Sequence, residues 1–168
     1  MKVSLFATEF SSPLGRISLC GTEGGLTGIF MEEHRHGPDE LTRAGWQRDD
    51  GRFTGAVQQL SEYFAGQRRT FDVAVDREAL GGTPFQRRIW TALDAIPYGE
   101  TISYGELARR IGQPAAVRAV GLANGRNPLS IVVPCHRVVG TGGALTGYGG
   151  GTARKRWLLD LEQGALPL

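Results

Sequence analysis

The stretch Thr101-Ile102-Ser103-Tyr104-Gly105-Glu106-Leu107-Ala108-Arg109-Arg110-Ile111-Gly112-Gln113-Pro114-Ala115-Ala116-Val117-Arg118-Ala119-Val120-Gly121-Leu122-Ala123-Asn124 reads as two short helices, 101–111 and 114–124, joined by Gly112-Gln113. Ile102, Leu107, Ala108 and Ile111 supply the apolar side of the first helix. A tight Gly-containing turn between two short helices is the helix-turn-helix pattern, which many helical hairpins also show. The second helix is rich in small residues: Ala115, Ala116, Ala119, Gly121, Ala123 and, just beyond, Gly125. Arg118 is the main long side chain among them. Such a helix suits close packing on a neighbouring helix, or close approach to a nucleic-acid groove with Arg118 projecting into it.

Downstream, Ile131-Val132-Val133-Pro134-Cys135-His136-Arg137-Val138 joins an apolar run to a thiol and an imidazole. Residues 130–133 read as a buried strand that stops at Pro134. Residues 140–151 then hold seven glycines in twelve positions, with Tyr148 among them. Such a loop can bring backbone N–H groups close to a ligand. It lacks the Gly-Lys-Ser/Thr ending of a phosphate-binding loop. The last helix spans 152–163, with Trp157, Leu158 and Leu161 turned inward and Glu162 near its end. Upstream, Thr83-Pro84 is a helix start, a cap followed by proline at the first helical position. Phe85, Ile89, Trp90, Leu93 and Ile96 give that helix a wide apolar face, and Pro97-Tyr98-Gly99 ends it.

The first half has a different texture. Residues 2–8, 15–21 and 25–31 are β-favouring runs separated by turn residues, an antiparallel meander. Residues 34–52 are polar and read as a loop anchored by Trp46. Phe53, Val57, Leu60 and Phe64 recur at helical spacing over 53–65. Phe71-Asp72-Val73-Ala74-Val75 alternates as a strand does. The chain therefore divides into an α/β domain over 1–76, a linker at 77–83 and a mainly helical domain over 84–168.

At 168 residues, with 40% hydrophobic and 21% charged residues, the chain has the composition of a soluble globular protein. No apolar run reaches the roughly 20 residues that span a bilayer. The N-terminus lacks the apolar stretch of a signal peptide, so an intracellular protein is expected. The net charge of +2 is unevenly spread. Residues 1–83 carry 9 basic and 12 acidic side chains, residues 84–168 carry 10 and 5. The basic half holds the Cys-His pair, which favours a polyanionic partner there. Cys20 with His34 and His36 offers three metal-ligand groups, but the strand-like run between them argues for an ordinary polar loop, and no metal is expected.

A thiol has an ordinary pKa near 8.5, so Cys135 needs a base to become a nucleophile. Cys135 and His136 are neighbours and would face opposite ways on a strand. They cooperate only where the chain turns, and a bridging water relaxes that geometry. His136 in turn needs an acceptor to fix its tautomer, and Glu162 is the candidate. From these residues alone a thiol hydrolase, a redox thiol, an alkyl acceptor and a mere core pair all stand open. The hydrolase lacks a local signature, and a redox thiol lacks a Cys-x-x-Cys partner.

Pro134-Cys135-His136-Arg137-Val138 resembles the active-site motif of the O6-alkylguanine-DNA alkyltransferases, the methylated-DNA–protein-cysteine methyltransferases. Further motifs stand in that family's order: Ile96-Pro97-Tyr98-Gly99-Glu100-Thr101, Ser103-Tyr104-Gly105-Glu106-Leu107-Ala108, Ala116-Val117-Arg118-Ala119-Val120-Gly121, Asn127-Pro128 and Gly147-Tyr148-Gly149-Gly150. The resemblance covers about 84–162 strongly and 1–83 loosely. It implies a ribonuclease-H-like α/β domain without a catalytic role, then a mainly helical domain whose helix-turn-helix enters the minor groove of double-stranded DNA. The damaged guanine is extruded, because its alkyl carbon is unreachable while stacked.

The resemblance further implies Cys135 as nucleophile, His136 as its water-mediated base and Glu162 as the orienter of His136. Tyr104 crowds the target phosphate and hydrogen-bonds the leaving guanine. Arg118 fills the vacated stack, and Gly105, Gln113 and Thr141 are further DNA contacts. Asn127 ties the helix-turn-helix to the active-site turn. Carbonyls of Cys135 and Val138 accept from the guanine amine, while Tyr148 and the Gly149 N–H line the O6 side. Gly105 and Gly149 depart from relatives with larger polar residues there, which bears on pocket breadth. No cofactor is implied, and each molecule repairs one lesion. The expected state is a monomer in solution, cytoplasmic or, in a eukaryote, nuclear, with cooperative assembly on DNA left open. The alternative is a lesion-binding or regulatory helix-turn-helix protein without enzymatic activity.

Overall fold

The computed structural model describes residues 4–168. The chain begins with β1 (Phe6–Ser12), β2 (Gly15–Thr22) and β3 (Gly25–Met31), an antiparallel meander in which Phe10 faces Ile17 and Leu19 faces Ile29. β1 starts later than the pattern predicts, and residues 2 and 3 of that expectation lie outside the described residues. Ile17, Leu19, Ile29 and Met31 are completely buried and build the first part of the core.

The segment expected as a loop over 34–52 holds regular structure. Asp39 caps the short α1 (Glu40–Ala44) through Thr42 N–H, and β4 (Gln47–Arg48) then adds to the sheet parallel to β1. The sheet order is β3-β2-β1-β4. Two bonds, Gln47 N–H to Leu5 O at 2.8 Å and Asp49 N–H to Ala7 O at 3.0 Å, hold β4. Both its side chains are exposed, so it carried no apolar pattern to read. A 3₁₀ turn (Asp50–Phe53) leads into α2 (Thr54–Phe64), which lays Leu60, Tyr63 and Phe64 inward.

The alternation at 71–75 does not become a strand. Phe71, Val73 and Val75 are half-buried between exposed neighbours, and the segment pairs with the sheet only at a bridge between Leu26 and Val75. Gln59 of α2 takes the place of a neighbouring strand. Its amide donates to Asp72 O at 2.9 Å and accepts from Asp72 N–H at 2.8 Å.

The second domain opens at Thr83, whose hydroxyl accepts from Gln86 N–H while the Gln86 side chain accepts from Thr83 N–H. This capping box satisfies two otherwise unpaired donors and starts α3 (Pro84–Leu93). The helix-turn-helix is α4 (Tyr104–Arg110), capped by Ser103, and α5 (Val117–Gly125). Both helices start about three residues later than expected. Ile102 and Ser103 instead form β5 (Ile102–Ser103), which pairs in parallel with β6 (Val138–Val139). Trp90 of α3 donates its indole N–H to Ala123 O of α5 at 2.9 Å. α6 (Thr152–Glu162) closes the fold. The buried apolar residues of both domains form one continuous cluster.

Candidate active site

The run 129–137 is a knot of turns and not the strand its apolar character suggests. Val132 N–H reaches Ser130 O, Val133 N–H reaches Leu129 O, and Cys135 N–H reaches Val133 O at 2.8 Å. Ile131 sits at φ 74°. A β-branched residue there is strained, at a cost of about 1–3 kcal/mol. Surrounding bonds hold it. Asn127, just past α5, donates to Val133 O at 2.8 Å and accepts from Leu129 N–H at 3.0 Å. Asn124 of α5 donates to Cys135 O at 3.3 Å. The helix-turn-helix therefore fixes the turn through two asparagines, of which only Asn127 was singled out from sequence.

The chain then makes a 3₁₀ turn (Cys135–Arg137). This is the bend that neighbouring Cys135 and His136 require. Both side chains are buried. His136 Nε2–H donates to Glu162 Oε2 at 2.7 Å, which leaves Nδ1 as the ring's lone-pair acceptor. Nδ1 is buried and has no hydrogen-bond partner among the described residues. Burial pushes the Cys135 thiol up, against the opposing pull of the Asn127 amide and the Lys155 charge. Burial lowers His136, with Glu162 pulling the other way, so the ring is neutral at physiological pH.

Glu162 ends α6, where the helix dipole disfavours a negative charge. Burial would also raise its carboxyl, but His136 and Arg137 outweigh it and hold the group at about 2. Arg137 Nε donates to Oε1 at 2.6 Å and Nη2 to Oε2 at 3.2 Å, while Nη1 reaches Ile96 O at 2.7 Å. Tyr63 of α2 donates its hydroxyl to Oε2 at 3.0 Å. Arg137 was read from sequence only as a motif residue, and Tyr63 was not singled out at all. A buried carboxylate next to an arginine is legible in a folded chain, not in a linear one.

Lys155, on α6, was not singled out from sequence. It is completely buried. Its Nζ donates to Val138 O at 2.5 Å, Thr146 O at 3.0 Å and the Tyr104 hydroxyl at 3.4 Å. Burial lowers it to about 8. Lys155 thus links β6, the glycine-rich loop and α4. Tyr104 adds a hydroxyl-to-Thr146 O bond of 2.7 Å across the same gap. The Cys135 carbonyl accepts from Val138 N–H, which closes the 3₁₀ turn, and from the Asn124 amide, while the Val138 carbonyl accepts from Lys155.

Tyr148 is buried, with its hydroxyl 3.9 Å from Met31 Sδ. Gly149 is explained by His34. A side chain at 149 would meet the His34 imidazole, which the loop after β3 places there and which Arg35 N–H to Gly149 O fixes at 2.8 Å. The volume that a larger residue would occupy at 149 is filled from the first domain. Burial drives His34 down to about 4, so it is neutral. Gly105 is half-buried near the start of α4, and Gln113 is half-buried in the turn between α4 and α5.

The residues of α5 divide between a packed side and an exposed side. Ala123 is buried, and a Cβ at Gly121 would stand 3.6 Å from the Tyr104 ring. Val117, Arg118, Ala119 and Leu122 form the exposed side, with Leu122 69% exposed. Thr141 is exposed in the glycine-rich loop. A cleft of about 580 Å³ lies behind the turn, walled by Tyr98, Trp90, Val133, Pro134 and Arg137 among others, and neither Cys135 nor His136 lines it. None of the described helices is long and apolar enough to cross a membrane.

Comparison with known proteins matches residues 5–77 to the family described as 6-O-methylguanine DNA methyltransferase, ribonuclease-like domain. Residues 84–164 match the family described as 6-O-methylguanine DNA methyltransferase, DNA binding domain. The chain is 55% identical over 156 residues to the methylated-DNA–protein-cysteine methyltransferase of Mycobacterium tuberculosis, covering 93% of this chain and 91% of that one. It is 44% identical over 165 residues to the protein of the same name from Salmonella typhimurium, covering 94% and 95%. The solved M. tuberculosis OGT in complex with DNA superposes with a TM-score of 0.86 at 52% identity, over 96% of this chain and 95% of that one. An O6-methylguanine-DNA methyltransferase from Pyrococcus kodakaraensis shares the fold, with a TM-score of 0.54 at 24% identity over 94% and 98% of the two chains.

Proposed function

The chain belongs to the 6-O-methylguanine DNA methyltransferase family, and from that premise we propose how its residues carry out direct DNA repair by alkyl transfer to cysteine. The domains are taken as 1–76 and 84–168, joined by 77–83, in a cytoplasmic protein. Cys135 is the acceptor. His136 Nδ1 takes the thiol proton through one water. The sulfur attacks the alkyl carbon in line, the S–C bond forms, the C–O6 bond breaks, and guanine leaves with a proton returned from its surroundings. We assign that return to Tyr104, whose hydroxyl burial raises and so keeps protonated. Glu162 stays ionised and holds the ring in the tautomer that leaves Nδ1 free. The exposed side of α5 presents Arg118 to the duplex, with Gly105, Gln113 and Thr141 as further DNA contacts. Asn127 sets the turn, while Val138, Tyr148 and Gly149 frame the base.

The observation that carries this reading is the free Nδ1 of a buried histidine whose other nitrogen is committed to Glu162. A thioether is stable and nothing in the step regenerates the thiol, so turnover is single. The test is intact-mass measurement after incubation with duplex DNA holding O6-methylguanine. One methyl per molecule is expected. Lesion binding without a mass change would leave the helix-turn-helix as a binding module and end the transferase reading.

A further inference from the structure

We infer that Tyr63, on α2 of the first domain, is a positioning residue of the transfer relay: its hydroxyl holds the Glu162 carboxylate and limits how strongly that carboxylate acts on His136. The inference rests on the Cys135–His136–Glu162 reading above. Tyr63 is completely buried, and its ring lies among Phe64, Phe71 and Tyr98 at centroid distances of 5.7, 5.5 and 6.1 Å. A phenylalanine would fill that space equally well. The hydroxyl is what the apolar nest does not need, and it ends 3.0 Å from Glu162 Oε2, 99 residues away in sequence.

Oε2 is the same oxygen that His136 uses. A buried carboxylate must have its lone pairs met. Arg137 covers Oε1, and Tyr63 and His136 share Oε2 with a longer contact from Arg137. Burial first, and the Glu162 charge second, push the Tyr63 hydroxyl well above its ordinary value. It therefore donates throughout the working range and never becomes a competing anion. Removing this donor returns negative charge to Oε2, and His136 feels it. The ring becomes easier to protonate, so a base that must be neutral is lost at higher pH.

The other groups facing the pair do not reverse that sign. Arg137 and Lys155 are cationic on the acid side, and Tyr98 and Tyr148 are neutral there, as is the Cys135 thiol. Arg69 lies over the Tyr98 ring at 5.2 Å, one step removed.

The experiment is the single-turnover rate of methyl transfer from duplex O6-methylguanine DNA to the full chain, followed across the pH range around the histidine titration. Wild type is compared with Y63F, with H136Q and with L60A, which opens a cavity on the same helix away from the hydroxyl. The acid limb of Y63F should move up by about 0.5–1 pH unit, so that the rate below its midpoint falls about 3- to 10-fold while the rate at neutral pH changes less. L60A should lower Tm and leave the limb in place. An NMR titration of the His136 ring in wild type and Y63F should show the same upward shift without relying on transfer. A Y63F limb that superimposes on wild type, or an L60A limb that moves as far, would overturn the inference. Should H136Q keep the wild-type limb, the relay reading itself fails and the role of Tyr63 goes with it.

Discussion

Cys20 and Cys135 are buried to nearly the same degree, 5% and 4% exposed, and burial pushes both thiols up. Around Cys20, in the middle of β2, stand Gly28 across the sheet and the Thr27 hydroxyl at 3.7 Å, with Arg43 as a distant charge. Around Cys135 stand the His136–Glu162 pair, the Asn127 amide and the Lys155 ammonium. Desolvation alone makes a thiol inert. A reactive thiol needs a base beside it and charges that favour the thiolate, and only one of these two regions supplies both.

The comparison is most easily broken by mapping the alkyl group. After reaction with O6-methylguanine DNA, peptide mass analysis should place all label on Cys135. Cys135→Ser should abolish transfer while retaining DNA binding, and Cys20→Ser should keep full stoichiometry. Label on Cys20 would show that burial and not wiring sets reactivity.

The next largest contrast is in the support of each thiol. Glu162→Gln strips the charge that pairs Arg137 and orients His136, and it should cost about 3–5 kcal/mol in denaturant unfolding and slow transfer at least about 100-fold. Thr27→Val beside Cys20 should change stability by no more than about 1 kcal/mol and leave transfer intact. The sign with pH follows from the same group. Its carboxyl is held at about 2 when folded, against an ordinary 4.5. A depressed carboxyl adds stability that is complete above 4.5 and drains as pH falls toward 2. Unfolding measured down that range should show the loss in wild type and a flatter profile in Glu162→Gln.

The smallest effect on the folded molecule belongs to Arg118→Ala. The side chain is exposed, so stability should stay within about 0.5 kcal/mol of wild type. Repair of duplex DNA should fall more than reaction with free O6-benzylguanine. Equal losses on both would remove Arg118 from the DNA-facing surface and place its role in the pocket.

The helices were legible where an apolar stripe met a cap, as at Thr83-Pro84 and over 53–65. The meander was legible from its alternation and turns. Three stretches misled for definable reasons. Residues 71–75 alternate as a strand does, but the Gln59 side chain supplies partners that a strand would give. Residues 130–133 are as apolar as a buried strand, yet Ile131 takes a left-handed conformation that side-chain hydrophobicity does not encode. β4 is two exposed residues whose only credential is backbone pairing with β1. Within the site, Cys135, His136 and Glu162 were named from sequence, and the structure sets His136 against Glu162 in the turn that Cys135 opens. Lys155 and Tyr63 were not named as site residues, because a linear sequence cannot distinguish a lysine in solvent from one surrounded by carbonyls, or a core tyrosine from one touching a carboxylate.

By itself the sequence determined the chemistry available: one thiol beside an imidazole, a basic second half, a helix of small residues carrying an arginine, and an ordered series of motifs that assigned the family. Those are properties of residue type and spacing, which survive without coordinates. Tertiary structure alone decided how the charges are paired. Tyr63, Arg137 and Glu162 are far apart along the chain and converge only when α2, the Cys135 turn and the end of α6 share one core. His34 likewise fills the place of a side chain at Gly149 from 115 residues away. Such pairings follow from what burial forces on polar groups. Once water is excluded, each donor and acceptor must find a partner in the protein, and only the folded chain fixes which one is within reach.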